Sequence, residues 1–217
     1  MFGSGITPAL IFTRIITLMI AFTVHEFSHA LTAYRLGDDT PRVQGRLTLN
    51  PVAHLDLVGS IMLLFVGFGW AKPVEINPYA VTRRSSAGVM WVSLAGPLSN
   101  LLMAIAAAIP LRFHWVSFSV GSDLVPSLYS FLYQFMAINL VLMLFNLIPI
   151  SPLDGEKIAA YFLPPPLDRF FERLHPYGSM ILMALVFLGP LLGFNVIGWI
   201  MGPPMNTILQ ILLGGRA

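Results

Sequence analysis

Residues 15–29 read IITLMIAFTVHEFSH, an apolar run that closes with three ionisable side chains, His25, Glu26 and His29. The run lies within a longer apolar stretch, from about residue 6 to residue 36. This stretch is long enough to cross a bilayer as a helix, for which about 20 residues suffice. Ionisable side chains within a spanning helix are unfavourable and are retained where they have a function. The run therefore predicts a transmembrane helix with a functional site near its end.

The amino-acid composition is that of an integral membrane protein. Of the 217 residues, 56% are hydrophobic and 10% are charged, whereas soluble domains carry about 25% charged residues. The same figures exclude a disordered chain, which would be polar and highly charged. The absence of cysteine excludes a disulfide framework and thiolate metal ligands. The net charge of +2 is too small to indicate a nucleic-acid partner.

Three further apolar stretches are long enough to span a bilayer: residues 88–111, 124–148 and 177–200. The stretch at residues 88–111 contains Gly96-Pro97, which predicts either a bend or a close approach to the helix that carries His25.

A shorter apolar run, residues 58–70, favours a re-entrant or buried segment. Two pieces with strand character, residues 42–49 and 72–76, predict a small sheet. The predicted fold is an all-α polytopic membrane protein with about four full transmembrane helices, a re-entrant segment, short interfacial helices and a small membrane-associated β-sheet. We expect one domain over residues 1–217, with the core that carries the site at about 6–163 and a C-terminal transmembrane helix at about 177–201.

Basic residues are concentrated on one side of this predicted topology. Residues 35–87 and 149–173 hold nine of the twelve Lys and Arg residues. Because cytoplasmic loops carry the excess of Lys and Arg, both segments are expected in the cytoplasm and both termini outside. The functional site then faces the cytoplasm. The lack of cysteine and the compact size favour a prokaryotic inner membrane.

The pattern His25-Glu-Phe-Ser-His29 has the chemistry of a metal site. Residues four apart share one face of a helix, so both imidazoles can bind a single ion. Glu26 is offset by about 100° and can reach a water molecule held by that ion. Zinc suits two imidazoles and one oxygen ligand, with water in the fourth position, and Glu26 can then act as general base and acid. The alternative is a hydrogen-bonded polar cluster that joins helices.

A catalytic zinc ion of this type needs a third protein ligand, for which His54 and Asp154 are the candidates. His54 lies in a predicted interfacial loop, where the alternative is a surface histidine. Asp154 follows residues 124–153, which contain no charged side chain, in a segment broken by two prolines and a glycine. An irregular backbone at a membrane edge is tolerated where it lines a cavity or is buried. We therefore favour Asp154, although a helix-cap role is its alternative.

These residues resemble the motifs of the site-2 protease family of zinc intramembrane metalloproteases. His25-Glu-Phe-Ser-His29 is similar to the family's metal motif, and Asn146 to Gly155 to its Asn-x-x-Pro-x-x-x-Leu-Asp-Gly motif. Residues 94–100 and 69–74 also resemble stretches between those motifs. The resemblance covers about residues 20–160.

The resemblance implies that His25, His29 and Asp154 bind one catalytic Zn²⁺ and that Glu26 is the general base and acid. It also implies that Asn146 holds the substrate strand or the developing oxyanion. The alternative for Asn146 is a hydrogen bond between helices, and such a bond is the expected role of Asn139. The chain departs from many family members in having Gly155-Glu156 in place of Gly-Gly, and it contains no inserted PDZ domain.

The function implied is hydrolysis of peptide bonds in or near transmembrane segments, with a transmembrane protein as substrate and the lipid bilayer as environment. Two other classes compete with this hypothesis. A non-catalytic zinc-binding adaptor would not need Glu26. A zinc transporter would need polar residues along facing helices, yet residues 88–111 and 174–215 contain no charged side chain. The sequence leaves the identity of the substrate and the oligomeric state open.

Overall fold

The computed structural model describes residues 7–56, 58–59, 62, 69–119, 121–164, 167, 171 and 173–215. The longer helices in this part of the chain are α1 (Pro8–Arg35), α4 (Gly88–Arg112), α5 (Leu128–Asn146) and α9 (Val196–Leu213). The shorter ones are α2 (Thr40–Val43), α3 (Pro78–Arg84), α6 (Asp154–Phe162), α7 (Gly178–Met183) and α8 (Gly189–Leu191), with 3₁₀ turns at Pro51–Ala53 and His175–Tyr177 and a π-helical turn at Ala184–Leu188 between α7 and α8.

The four longer helices are each long and apolar enough to cross a membrane. The first of them, α1, begins at Pro8, where the side chain of Thr7 accepts a hydrogen bond from the backbone of Leu10. It ends at Arg35, and Gly37 follows with φ +92°, a conformation that glycine adopts without strain. Gly37 therefore lies just beyond the end of α1, where it turns the chain.

The centre of the bundle is α4, which packs against α1 on one side and α5 on the other. Its buried alanines, Ala104, Ala107 and Ala108, pack with Met136 and Leu140 of α5. Small side chains let two helices approach closely, and van der Waals packing of this kind contributes to helix association in lipid. This packing joins α4 to α5, and α4 also contacts α1, which carries the histidines of the site.

The fourth predicted span, residues 177–201, is not one continuous helix. A break between Leu191 and Val196 contains Gly193 at φ +82°, and the side chain of Asn195 accepts a hydrogen bond from Gly198 at the start of α9. Glycine in this conformation and an asparagine cap favour a new helix start. The break is not visible in the hydropathy of this uncharged run, because hydropathy measures the length of an apolar stretch and not where a helix starts within it.

The helix long and apolar enough to cross a membrane is therefore α9, whereas residues 175–191 form a shorter apolar helix. Leu182 in α7 forms a buried cluster with Ile148 and Leu153, which lie between α5 and α6. Ile197 in α9 packs against this cluster. At its other end α9 reaches Arg112, whose guanidinium donates to the backbone carbonyls of residues 211 and 212. The early part of α7 thus lies at the same end of the bundle as the start of α9, and α9 runs from there to the opposite end.

The predicted sheet is not seen in the described residues, which contain isolated bridges between Leu55 and Ala71 and between Gly121 and Pro126 but no strand. The first predicted strand, residues 42–49, begins inside α2. Pro41 suits the first turn of that helix, and Gly45 turns the chain at φ +69°. Most of the predicted re-entrant segment, residues 58–70, lies outside the described residues.

The second predicted strand, residues 72–76, is held mainly by side chains instead of a neighbouring strand. Arg46 is buried, and its guanidinium donates to the backbone carbonyls of Ala53 and Pro73. Asp38 is also buried, and its two oxygens accept from the backbone N–H groups of Thr40 at 2.9 Å and Asn77 at 2.6 Å. We call residues 72–77 the strap, because these contacts hold the segment across the end of α1.

We expect Asp38→Ala to lower the free energy of unfolding by about 2–3 kcal/mol, because the substitution leaves two buried N–H groups without their charged acceptor. Thermal unfolding in detergent measures this effect. Asp39→Ala is the matched control, since Asp39 is exposed and pairs with Arg42 at 3.1 Å. A surface pair of this kind contributes about 0.5 kcal/mol. Equal losses in the two variants would contradict the anchoring role of Asp38.

Candidate metal centre

The two histidines of the site lie inside α1 and face α4. Their rings are in edge-to-face contact, with centroids 4.6 Å apart, and both side chains are buried. At 1.5 Å per residue, His29 lies about 9 Å and His25 about 15 Å from the last residue of the helix. The pair is thus inside the segment that can cross a membrane, near one end of it.

Asp154 reaches both histidines from a different part of the chain. It is the first residue of α6, and its Oδ2 atom lies 3.2 Å from Nε2 of His25 and 3.3 Å from Nε2 of His29. The next residue, Gly155, packs so closely that an added Cβ would lie 2.3 Å from the carbonyl oxygen of Leu147. Only glycine permits this approach, and the approach brings Asp154 to the same level as the histidines.

The three side chains have the donor set and the spacing that a zinc ion requires. One ligand atom from each residue lies within 4.8 Å of the others. Two ligands of a tetrahedral zinc ion at the usual bond lengths lie about 3.3 Å apart, close to the two distances from Asp154. Its Oδ2 atom is buried and forms no hydrogen bond in the described part of the chain. A buried carboxylate oxygen without a donor is stabilised by a cation.

The Nδ1 atoms of both rings have hydrogen-bond partners, and these partners orient the rings so that the Nε2 atoms face Asp154. Nδ1 of His29 lies 2.7 Å from the carbonyl oxygen of Val92, and Nδ1 of His25 lies 2.6 Å from Oδ1 of Asn100. Because each partner is an acceptor, each Nδ1 carries the proton. In the neutral rings Nε2 then has its lone pair directed at Asp154. The cluster presents three acceptors and no donor, an arrangement that suits a metal ion.

Gly96 leaves the space that the cluster needs. A Cβ added to this residue would lie 2.4 Å from Nε2 of His29 and 2.5 Å from Nε2 of His25. Val92, Gly96 and Asn100 recur at every fourth residue, so they share one face of α4, and that face is turned toward the histidines. The close approach predicted for Gly96 is confirmed.

Glu26 is buried beside the cluster but is not one of its three converging side chains. Its Oε2 atom accepts a hydrogen bond of 3.0 Å from the backbone N–H of Val74, in the middle of the strap. The strap therefore holds one carboxylate oxygen of Glu26 in place.

Two other predicted candidates have hydrogen-bond partners of their own outside the group of three. The Nε2 atom of His54 is 2.8 Å from the carbonyl oxygen of Thr48, and the residue is fully buried, so the interpretation as a surface histidine was wrong. Asn146 ends α5, is half-buried and donates from Nδ2 to the carbonyl oxygen of Leu142 at 3.0 Å. Asn100 and Val74 could not be assigned roles from the sequence, because they contact the site from another helix and another segment.

Comparison with known proteins identifies the family. The sequence profile of peptidase family M50 matches residues 115–189, the part of the chain that contains Asp154. YwhC of Bacillus subtilis (strain 168), named as a predicted zinc metalloprotease, is 40% identical over 202 residues, which are 91% of this chain and 89% of that protein. Rip2 of Mycobacterium tuberculosis (strain H37Rv), named in the same way, is 30% identical over 194 residues, which are 84% of this chain and 70% of that protein. No solved structure matches the chain.

In the described part of the chain, four helices apolar enough to cross a membrane, together with the His–His–Asp group, define a multi-pass membrane protein with a site for a metal ion. The chain belongs to peptidase family M50, and the resemblance to the site-2 proteases is confirmed. It is a zinc metallopeptidase, and Zn²⁺ is its cofactor.

Proposed function

We propose that this chain is an intramembrane endopeptidase that hydrolyses peptide bonds within or beside the transmembrane segments of membrane proteins. The observation that carries this proposal is the convergence of Asp154 on His25 and His29, which lie inside a helix long enough to span a bilayer. A hydrolytic site at this depth can reach peptide bonds that lie in the membrane. A substrate helix must unwind locally there, since the amides of an intact helix are shielded.

In this proposal His25, His29 and Asp154 are the protein ligands of one catalytic zinc ion. When bound, zinc supplies Lewis-acid chemistry, because it lowers the pKa of water and polarises a carbonyl group. Glu26 is the general base, which takes a proton from the attacking water molecule, and then the general acid, which gives a proton to the leaving amine. The N–H of Val74 occupies one oxygen of Glu26, and among the described residues no hydrogen bond engages the other, which can take the proton.

Asn146 is proposed to hold the substrate. It lies eight residues before Asp154, at the end of α5, and it is half-buried. Its amide nitrogen carries two hydrogens, of which the carbonyl oxygen of Leu142 accepts one. The second has no acceptor among the described residues and can be donated to a substrate carbonyl or to the oxyanion that develops on it.

We further propose that the site faces the cytoplasm of a bacterial cell. The end of α1 nearer the site carries Arg35, and α3, which follows the strap, ends with Arg83 and Arg84. Basic residues at one end of a bundle favour the cytoplasmic side of a membrane. This orientation admits water to the site from the cytoplasm.

Removal of zinc should abolish cleavage reversibly. We expect the purified protein in liposomes to cleave a single-span test substrate, to lose this activity with a strong zinc chelator and to regain it when Zn²⁺ is added back. Mg²⁺ added back should not restore it, since two imidazoles and one carboxylate suit zinc. Gel analysis and mass spectrometry of the products measure the rate and locate the cleaved bond.

A matched substrate tests the intramembrane part of the proposal. Replacing the helix-breaking residues of the test span with leucine should slow cleavage, because the scissile amide then stays within a stable helix. Zinc-loaded protein that cleaves no spanning substrate would contradict the proposal and favour the adaptor. Cleavage that continues without zinc would contradict the mechanism.

A further inference from the structure

Two buried asparagines connect His25 to the interior of the bundle. Asn100 of α4 and Asn139 of α5 have no exposed surface. Nδ1 of His25 lies 2.6 Å from Oδ1 of Asn100, and Nδ2 of Asn100 donates to Oδ1 of Asn139 at 2.9 Å. Nδ2 of Asn139 in turn donates to the carbonyl oxygen of Phe135 at 2.8 Å. The interhelical hydrogen bond predicted for Asn139 is thus confirmed, and it is one link of a chain of three.

The direction of this chain is fixed from its far end. The carbonyl oxygen of Phe135 can only accept, so the amide nitrogen of Asn139 must face it. The amide oxygen of Asn139 then faces Asn100 and requires a donor there. This requirement orients the amide of Asn100, whose oxygen is left to accept from His25. Each link determines the next, and the last one places the proton of His25 on Nδ1.

We propose that Asn100 and Asn139 are positioning residues, an amide relay that fixes the tautomer and the ring orientation of His25 so that Nε2 is directed at the metal. This inference rests on the proposed role of His25 as a ligand. The two histidines then differ in the kind of partner that orients them. His29 donates to the backbone carbonyl of Val92, which no substitution removes, whereas His25 depends on two side chains from two other helices.

The surroundings make the relay important for the site. The amide pair lies between α4 and α5, and Met136 and Leu140, the neighbours of Asn139 along α5, are fully buried. Where there is no other acceptor, a buried N–H that loses its partner is strongly unfavourable. Without Asn100, the state in which His25 keeps its proton on Nδ1 is less stable than one in which the proton moves to Nε2 or the ring rotates. Either change removes a lone pair from the metal. Loss of a hydrogen-bond partner of a ligating histidine typically weakens metal binding by about 10–100-fold.

Zinc affinity of the purified protein, measured by competition with a chromophoric chelator, tests the relay without reference to cleavage. We expect Asn100→Leu, which fills similar space without an acceptor, to weaken zinc binding by about 10–100-fold. Asn100→Asp keeps an acceptor for Nδ1 and should recover most of this affinity. Asn139→Leu should cause a smaller loss, and the double variant N100L/N139L should bind no more weakly than Asn100→Leu, because Asn139 acts through Asn100.

A second measurement reports the tautomer directly. In the zinc-free protein labelled with ¹⁵N-histidine, we expect His25 to carry its proton on Nδ1, and Asn100→Leu to shift it toward Nε2. Thr17→Val is the matched control, because Thr17 is a buried polar residue of α1 whose hydroxyl has no hydrogen-bond partner in the described residues. This variant should leave both the tautomer and the zinc affinity unchanged.

Two results would overturn the relay. One is wild-type zinc affinity in Asn100→Leu, and the other is an Asn100→Asp variant that binds zinc no better than Asn100→Leu. Failure of the proposed function has a different signature: wild-type protein that binds no zinc, or zinc-loaded protein that cleaves no spanning substrate.

Discussion

Glu26→Gln is expected to reduce the rate of peptide cleavage by about 10²–10⁴-fold while zinc binding is retained. The amide of glutamine has the shape of the carboxylate, and its oxygen still accepts the hydrogen bond that Val74 donates to Oε2 of Glu26. The strap therefore stays in place. The amide cannot take a proton from water, so the loss falls on the chemical step alone. Cleavage rates in liposomes, together with the zinc content of each preparation, measure the two effects separately.

Glu75→Gln is the control for this substitution. Glu75 adjoins Val74 in the strap, but its side chain is exposed and accepts from Gln44 at 2.7 Å. The same chemical change should there leave the cleavage rate close to that of the wild type. If Glu26→Gln kept most of the activity, Glu26 would not be the general base. If it lost its zinc, Glu26 would have a structural role that the hydrogen bonds do not indicate.

Gly96→Ala is expected to reduce kcat/KM by about 10²-fold or more and to weaken zinc binding as well. The new methyl group would lie 2.4–2.5 Å from the Nε2 atoms of both histidines, well inside contact distance. Either α4 moves away from α1 or the imidazoles rotate, and a displacement of about 1 Å at a catalytic site costs about 10²-fold in rate. Zinc affinity by chelator competition and the cleavage rate measure the two consequences.

Gly202→Ala provides the matched control on a different helix. Gly202 lies in α9 and has open space where its Cβ would stand. Alanine there should leave zinc binding and activity unchanged and should favour the helix slightly. A Gly96→Ala variant with wild-type zinc affinity would show that the helices are free to separate, and the packing argument at the site would then be wrong.

Three of the four membrane helices could be predicted from the sequence, because apolar length is a local property. The stretches predicted at 6–36, 88–111 and 124–148 correspond to α1, α4 and α5. The fourth was misplaced, because residues 174–215 are uncharged throughout and hydropathy cannot locate a helix start inside such a run. Gly193 and Asn195 were the visible signals of the break.

The predicted sheet is the other part of the fold that the described residues do not contain. Alternating side chains predicted strands at residues 42–49 and 72–76, but α2 occupies the start of the first, and polar side chains hold the second. An extended segment can be satisfied by a buried arginine and a buried aspartate as well as by a neighbouring strand. A local pattern does not distinguish the two, since the partners are distant in the chain.

By itself the sequence determined the class of protein, the chemistry of the metal and the residues worth testing. The composition indicates a chain that lies in lipid, and the spacing of His25 and His29 places them on one face of a helix. Both conclusions can be reached without tertiary structure. The packing of α1, α4 and α5 decided the rest: the space at Gly96, the approach of Asp154, the bond from Val74 to Glu26 and the amide relay behind His25. These contacts join residues separated by 39 to 129 positions, and no periodicity within one segment can encode a distance between two of them.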